Sequence, residues 1–178
     1  PTELALLDVN NSFGSDISKI EKVGELPFDS DRKLMSVLVK YEDKHLMITK
    51  GAFDIVLERS NANKKQKDKF IEASEVMANE ALRVLAIGVK EFNDYKEITI
   101  DDENDLTLVG FVGMIDPSRE EVKDAIAIAK QAGIRTIMIT GDHKITASAI
   151  ARDLGIKGEN DKVITSLELN ELSEEYLN

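Results

Sequence analysis

Three segments of the sequence combine turn-forming residues with side chains that can bind an anion. Thr140-Gly141-Asp142 begins at the last residue of the run Ile134–Thr140, which is predicted to be a strand, and precedes a predicted helix. In open α/β sheets ligands bind at the carboxyl ends of strands, and a helix N-terminus can hold a phosphate. These residues could therefore contact a phosphoryl group. They could also form only a turn that caps the next helix, and taken alone they favour that structural interpretation.

Lys50-Gly51-Ala52 places a cation at the end of a predicted strand, beside a predicted helix. Glycine permits close approach of a ligand, and Phe28 could supply an aromatic platform for a purine. Arg83, which opens another predicted strand, could add a second cation for phosphates. The alternatives are a core position for Phe28 and solvated head groups with buried stems for Lys50 and Arg83.

Asp116-Pro117-Ser118-Arg119 stands at the start of another predicted helix. Asp116 before Pro117 is typical of helix N-terminal capping. Arg119 could bind a carboxylate within the fold or a phosphate in a ligand. On these residues alone the structural interpretation is again favoured.

Composition limits the partners. The 178 residues include 34 acidic and 23 basic side chains, a net charge of −11, which argues against nucleic acid or anionic lipid as a partner. The absence of cysteine excludes disulfides and thiolate metal sites, and no zinc or other metal site is predicted. The longest apolar run, Leu106–Ile115, is too short to span a bilayer, so no membrane contact is expected of this segment. Pro1 in place of Met hints at a piece of a longer protein.

The first part of the chain mixes strand and helix patterns. A β-rich run at Met35–Val39, a turn and a second run at His45–Thr49 predict a hairpin. Apolar spacing predicts helices over 2–9 and 52–59 and strands over 83–90 and 106–114. A further helix is predicted from the apolar residues that recur from Phe70 to Ala81, and it ends near Ala81. The acidic stretch Asp101–Asp105 is expected to be a solvated loop.

The pattern changes near Asp116. Helices are predicted over 120–132, 144–154 and 168–177, with strands at 134–140 and 163–164. The run Ile134–Thr140 contains four apolar residues out of seven, and it is predicted to be a buried parallel strand. Alternating helices and strands predict a βαβ arrangement, with a boundary between two parts near 112–117.

Taken in order, six segments resemble the P-type cation-transporting ATPases, most closely their calcium-pump-like branch. They are Thr2-Glu-Leu-Ala-Leu6, Leu26-Pro-Phe-Asp-Ser-Asp-Arg-Lys-Leu-Met-Ser-Val37, Lys50-Gly-Ala52, Leu82-Arg-Val-Leu-Ala86, Asp116-Pro-Ser-Arg119 and Thr140-Gly-Asp142. No single tripeptide is specific, but six in one order over nearly the whole chain are.

The resemblance implies an α/β fold in two parts. Residues 1–112 resemble a nearly complete nucleotide-binding domain, an antiparallel sheet flanked by helices. Residues 113–178 resemble part of a phosphorylation domain, a partial βαβ segment of the haloacid-dehalogenase type.

The resemblance also implies site residues. ATP is the expected ligand, and its adenine would lie near Glu3 and stack on Phe28 in a pocket lined by Lys50. Thr140 and Gly141 would contact the transferred phosphoryl group, with Asp142 beside them. The remaining implied nucleotide-site residues are Lys33, Met35, Gly51, Arg83, Asp116 and Arg119.

Two motifs of the family are absent, namely the Asp-Lys-Thr-Gly-Thr that carries the phosphorylated aspartate and a downstream Thr-Gly-Asp-Gly-x-Asn-Asp that binds Mg²⁺. The chain is therefore expected to bind ATP without turning it over, as a cytoplasmic part of a membrane pump. Its other partners would be the remaining domains of that pump. A dehalogenase-type phosphatase acting alone and a non-enzymatic interaction module are the alternatives.

One structural expectation follows from the missing motif. In the family the segment with the phosphorylated aspartate supplies a central strand beside the counterpart of Ile134–Thr140. Without it that run would have an exposed edge. Residues 113–178 are therefore expected to be loosely ordered or paired with another chain.

Overall fold

The computed structural model describes residues 2–14, 16–18, 20–115 and 118–172. In chain order its elements are α1 Thr2–Phe13, β1 Glu21–Asp29, β2 Leu34–Tyr41, β3 Lys44–Ala52, α2 Phe53–Glu58, α3 Lys64–Asn79, β4 Arg83–Phe92, β5 Thr107–Met114, α4 Glu120–Gln131, α5 Lys144–Asp153 and α6 Ser166–Asn170. A 3-10 turn, Ile100–Glu103, precedes β5.

The five strands form one open sheet in the order β1-β2-β3-β4-β5, and the predicted antiparallel sheet with flanking helices is confirmed. Strands β2 and β3 form the predicted hairpin, paired from Leu34↔Gly51 to Tyr41↔Lys44. The polar sequence of β1 lacks an alternating apolar pattern, and sequence analysis therefore did not identify it as a strand.

Alternation along the hairpin defines its core. Leu34 and Leu38 on β2 and Met47 on β3 have no solvent exposure. Ser36 and Thr49 are also completely buried, and they are an opposed pair on the same face. Side chains in between, such as Met35, point to the other face because successive residues of a strand alternate.

The chain divides into two compact units, Pro1–Asn61 with Ala86–Gly110 and Ala62–Leu85 with Phe111–Asn178. The first contains α1, β1–β3 and α2. The second contains α3–α6, and α3 begins with a capping box in which Asn63 and Gln66 bond to each other's backbone amides. The predicted domain boundary at 112 stays a prediction.

The predicted strands at 134–140 and 163–164 are wrong. Residues 118–172, as described, contain helices α4–α6 and no strand. Ile137 and Ile139 are 73% and 93% exposed. An apolar run becomes a strand only when a neighbouring strand satisfies its backbone groups, and none pairs with Ile134–Thr140 in the described residues. The βαβ arrangement predicted for this part is therefore not formed.

Two smaller expectations also need correction. Asp101–Asp105 is not a solvated loop, because Glu103 is completely buried and Asp102 nearly so. Helix α6 begins at Ser166, two residues earlier than predicted, because Thr165 caps it by accepting a hydrogen bond from the Glu168 N–H. Residues 173–177 of the predicted helix lie outside the described residues.

Candidate functional site

Strand register aligns the predicted purine-binding residues in the first unit. Met35 on β2 lies directly opposite Lys50 on β3. The β1–β2 pairing shifts between Leu26↔Ser36 and Asp29↔Leu34, so two residues of β1, Pro27 and Phe28, oppose Met35 alone. This is a β-bulge, a device that re-aims a side chain. Phe28 is 64% exposed, which favours a contact role over the core position.

Lys50 connects this row to helix α1. Its Nζ donates a hydrogen bond to Glu3 Oε1 at 2.9 Å. The Lys50 side chain is only 18% exposed, whereas that of Glu3 is 66% exposed. The hydrogen bond from Lys50 lowers the pKa of the Glu3 carboxyl, with help from a backbone hydrogen bond and the lysine charge. Phe28, Met35, Lys50 and Glu3 thus form a continuous series, which we call the Phe28–Glu3 row.

The turn between β1 and β2 carries Lys33 and is fixed at several points. Asp29 Oδ1 accepts hydrogen bonds from the backbone N–H groups of Asp31 at 3.0 Å and Arg32 at 2.8 Å. The hydrogen bond from the Arg32 N–H lowers the pKa of Asp29 against a smaller opposing effect of burial. Lys33 has a φ of 55°, and its carbonyl accepts the Ala52 N–H at 3.2 Å. The turn is therefore joined to the end of β3.

Gly51 permits a close approach, but of the protein's own chain. A Cβ built on Gly51 would overlap the Lys33 carbonyl oxygen and lie 2.5 Å from Leu34 Cδ2. Any side chain at this position would push the turn away from β3. Gly51 therefore allows the turn that carries Lys33 to lie against the end of β3, in addition to any contact with a ligand.

The second unit brings Arg83, Thr140 and Asp142 together. Arg83 Nη2 and Nε donate to Asp142 Oδ1 at 2.6 and 3.1 Å, and Thr140 Oγ1 donates to Asp142 Oδ2 at 2.8 Å. Burial raises the pKa of Asp142, but the hydrogen bonds from Thr140 and Arg83, with the arginine charge, outweigh it and lower the pKa. We call this group the Arg83 cluster. It joins two segments that sequence analysis considered separately.

The remaining predicted residues are less defined. Gly141 is exposed, and a Cβ there would meet nothing within 4 Å. Arg119 is exposed at the N-cap position of α4, where its side chain makes no capping hydrogen bond. Asp116 and Pro117 lie outside the described residues.

Sequence analysis missed a buried polar group behind the Phe28–Glu3 row. Ser36 Oγ donates to Glu103 Oε1 at 2.7 Å and lies 2.8 Å from Thr49 Oγ1. Arg32 Nε lies 3.5 Å from Glu103 Oε2. The available signal was the presence of Ser36 and Thr49 inside two apolar strands, because a buried hydroxyl needs a polar partner.

Two depressions in the surface have linings that do not include the predicted site residues. One of about 630 Å³ in the first unit is lined by Asp31, Arg32, Ile55, Glu58, Arg59 and Asn104. One of about 360 Å³ in the second unit is lined by Asn79, Lys144, Ile145, Ser148, Ala149, Arg152 and Val163. No predicted site residue lines either of them.

The described ranges are 2–14, 16–18, 20–115 and 118–172. These ranges contain no group of three or more His, Cys, Asp or Glu residues that could hold a metal ion. Over the same residues, every helix is too short or too polar to cross a bilayer.

Comparison with known proteins gives a consistent result. A family model described as P-type ATPase, cytoplasmic domain N, matches residues 1–121. The chain is 44% identical over 192 residues to Calcium-transporting ATPase 1 of Lactococcus lactis, covering 99% of this chain and 22% of that protein. It is 43% identical to Calcium-transporting ATPase 1 of Bacillus cereus, with the same coverage.

A third relative extends the comparison beyond proteins named for calcium. The chain is 39% identical over 176 residues to a probable cation-transporting P-type ATPase of Mycoplasma genitalium, covering 96% of this chain and 20% of that protein. The chain thus spans about a fifth of the length of these relatives.

Proposed function

The chain belongs to the P-type ATPases and matches their cytoplasmic domain N, and on that premise we propose that it binds the adenine of ATP at the Phe28–Glu3 row. The observation that carries this proposal is the register of β1, β2 and β3, which aligns Phe28, Met35 and Lys50 across three strands.

Each residue of the row has a distinct role in this proposal. The exposed Phe28 ring stacks on the purine, and the Met35 side chain beside it adds apolar contact. Lys50, held by Glu3, presents a positive charge on a protein whose net charge is −11. Glu3 accepts a hydrogen bond from the exocyclic amine of adenine, while Lys33 on the adjoining turn contributes a further cation.

The Arg83 cluster would act on phosphate. Arg83 offers a guanidinium that pairs with phosphoryl oxygens as it now pairs with Asp142. Thr140 and Gly141 provide a hydroxyl and a backbone N–H for the transferred group. Preorganised donors and cations of this kind neutralise charge during phosphoryl transfer.

We propose that the parent protein is a cation pump that forms an aspartyl phosphate and uses Mg²⁺. Calcium is the proposed cargo because most of the relatives compared are named calcium-transporting ATPases. Mg²⁺ is usually bound by substrate phosphates, waters and one or two carboxylates. The proposed ligands are ATP itself and other segments of the pump.

Titration of ¹⁵N-labelled protein with ATP tests the nucleotide site. We expect ATP to shift the amide resonances of residues 26–35 and 49–52. Loss of a base–aromatic stack costs about 1–3 kcal/mol, so Phe28→Ala is expected to weaken binding by about fivefold or more. Lys50→Ala is expected to act in the same direction.

Two matched controls make this test specific. Phe13 on α1 is also exposed, at 80%, and Lys44 also forms an ion pair, at 2.7 Å from Glu91. Phe13→Ala and Lys44→Ala should leave ATP affinity unchanged. If ATP causes no shift near Phe28 in the unsubstituted protein, or if the controls lose as much affinity, the proposed site is wrong.

Incubation with γ-labelled ATP tests the second part of the proposal. We expect no label to become attached to this chain, since Asp-Lys-Thr-Gly-Thr is absent from its sequence. Stable incorporation of label on an aspartate would contradict the assignment of the nucleophile to another part of the pump.

A further inference from the structure

Glu103 is completely buried in the first unit and faces two arginines. Its Oε2 lies 3.5 Å from Arg32 Nε and 3.9 Å from Arg59 Nη1, while its Oε1 accepts the hydroxyl of Ser36. A buried carboxylate is costly unless it is paired and hydrogen-bonded. The position of Glu103 is therefore determined by its partners, and it determines theirs in return.

Only one of the two arginines also binds the turn of the candidate nucleotide site. Arg32 Nη2 donates to the Pro27 carbonyl at 2.8 Å and to the Leu34 carbonyl at 3.3 Å. These carbonyls stand before and after the turn that carries Phe28 and Lys33. The guanidinium thus closes the turn, and its orientation sets the distance between the ends of β1 and β2.

The buried group lies directly behind the Phe28–Glu3 row. Ser36 and Thr49 are an opposed pair one residue along from the opposed pair Met35 and Lys50. Because successive strand residues point to opposite faces, Ser36 and Thr49 face Glu103 while Met35 and Lys50 face away from it. The same two strands therefore carry the ligand-contacting residues on one face and the buried polar group on the other.

We propose that Glu103 is a positioning residue of the nucleotide site, which acts through Arg32 to fix the bulge and turn that present Phe28 and Lys33. The proposal rests on the nucleotide-binding function proposed above. Arg32 Nε and Glu103 Oε2 have no hydrogen-bond partner within the described part of the chain, so the attraction between their charges adds to the two hydrogen bonds of Arg32 Nη2 in orienting the guanidinium. Neutralising Glu103 would release Arg32 and widen the conformations of the turn.

The test compares a variant of Glu103 with a variant of each of its two arginines. Glu103→Gln removes the charge at constant shape, and Arg32→Lys keeps the charge but loses the fork that bridges Pro27 and Leu34. Arg59→Lys is the control, because Arg59 is also paired with Glu103 and is similarly accessible, its side chain being 28% exposed against 18% for Arg32. Ser36→Ala is a milder variant should Glu103→Gln fail to fold.

Two readouts are taken on each folded variant. In the nucleotide-free protein, Glu103→Gln and Arg32→Lys are expected to shift the amide resonances of residues 28–33, and Arg59→Lys is not. In ATP titrations the first two are expected to weaken binding at least about fivefold, which corresponds to about 1 kcal/mol. Ser36→Ala should shift both readouts in the same direction but less.

Each outcome has a definite meaning. ATP binding that Glu103→Gln and Arg32→Lys retain in full overturns the positioning role alone. Equal loss in Arg59→Lys also overturns it, because the effect would then be a general consequence of disturbing a buried charge. Absence of ATP binding in the unsubstituted protein overturns the proposed function, and the positioning role with it.

Discussion

Two stretches that are both rich in apolar residues have opposite outcomes in this molecule. Residues 34–52 form the β2–β3 hairpin, whose alternating side chains are buried on one face. The run Ile134–Thr140 has a similar share of apolar residues, yet it forms no strand, and Ile139 is 93% exposed. The hairpin has its pairing partner two residues away along the chain, and the run has none nearby. Hydrophobicity therefore produces a strand only where the backbone finds a partner.

The two regions also differ in what stabilises them. The hairpin encloses Leu38 and Met47 and the buried carboxylate of Glu103. Helices α4–α6 are connected instead by exposed ion pairs, such as Lys123 with Asp153 at 2.9 Å and Lys144 with Glu168 at 2.8 Å. Exposed pairs contribute at most about 1 kcal/mol each, and salt weakens them.

The largest expected difference is between two truncations of large aliphatic residues to alanine. Leu38→Ala should lower the free energy of unfolding by about 2–5 kcal/mol, because it leaves a cavity in the core. Ile139→Ala should change it by less than about 0.5 kcal/mol, because the side chain is already in water. Urea unfolding followed by circular dichroism measures both.

This pair of variants tests whether Leu38 and Ile139 differ in burial in solution. A cost for Ile139→Ala similar to that for Leu38→Ala would show that Ile134–Thr140 is buried in solution. Either a partner segment or a second copy of the chain would then cover it, and sedimentation would separate these two cases.

The next largest effect concerns two glycines in strands. Gly51→Ala should cost about 1–3 kcal/mol, because its Cβ overlaps the Lys33 carbonyl oxygen and the turn must move. Gly110→Ala is the control, since nothing lies within 4 Å of its Cβ position, and it should change stability by less than about 0.5 kcal/mol. Thermal unfolding of both variants provides the measurement, and equal midpoints would refute the close approach at Gly51.

The regular parts of the fold were predictable for a physical reason. The hairpin, α2 and strand β4 have local patterns that agree with their tertiary environment, and their approximate bounds followed from the sequence. Strand β1 is polar and depends on β2 for its pairing, so its own residues do not indicate it. Ile134–Thr140 is the reverse case, a strong pattern without the neighbour on which the structure depends.

The candidate site was predictable in its residue types but not in its support. An aromatic residue and a lysine before a glycine made Phe28 and Lys50 candidates, while the sequence also allowed a core position for Phe28. Glu103 lies in the acidic stretch Asp101–Asp105, whose sequence predicts a solvated loop. Its burial depends on Ser36, Thr49 and two arginines that converge from distant positions, and no local pattern encodes that convergence.

A smaller effect is expected at the Arg83 cluster. Arg83→Ala removes two hydrogen bonds and a charge, so the pKa of Asp142 should rise toward or beyond its ordinary value of 3.8. The pair stabilises the fold above that pH, and its contribution is lost as the pH falls through the lowered pKa of the folded state. Because Arg83 is largely exposed, the loss should stay below about 1 kcal/mol.

Carboxyl ¹³C titration by NMR measures the Asp142 pKa directly. Lys123→Ala removes a lysine from another exposed pair in the same unit, and it should leave this pKa unchanged. An Asp142 pKa that is the same in Arg83→Ala and in the unsubstituted protein would mean that the pair does not persist in solution.

The smallest effect on stability is expected at α6, where the pKa of Glu168 is lowered to about 2 from an ordinary 4.5. The main cause is the hydrogen bond from Lys144, and the Thr165 N–H, which donates at 2.7 Å, adds to it. The stabilisation is complete above about pH 4.5 and is lost as the pH falls toward 2. Lys144→Ala should therefore raise the pKa of Glu168 markedly.

This titration separates two contributions to the Glu168 pKa, one from a local capping box and one from a residue distant in sequence. The contribution of Thr165 belongs to a capping box encoded within four residues, whereas that of Lys144 crosses 24 positions of the chain. In Lys144→Ala the capping box should keep the Glu168 pKa below 4.5. Lys157→Ala, which removes a half-buried lysine that donates to the Gly158 carbonyl, should not change it. A Glu168 pKa near 2 in Lys144→Ala would show that α6, unlike Ile134–Thr140, is specified by local sequence alone.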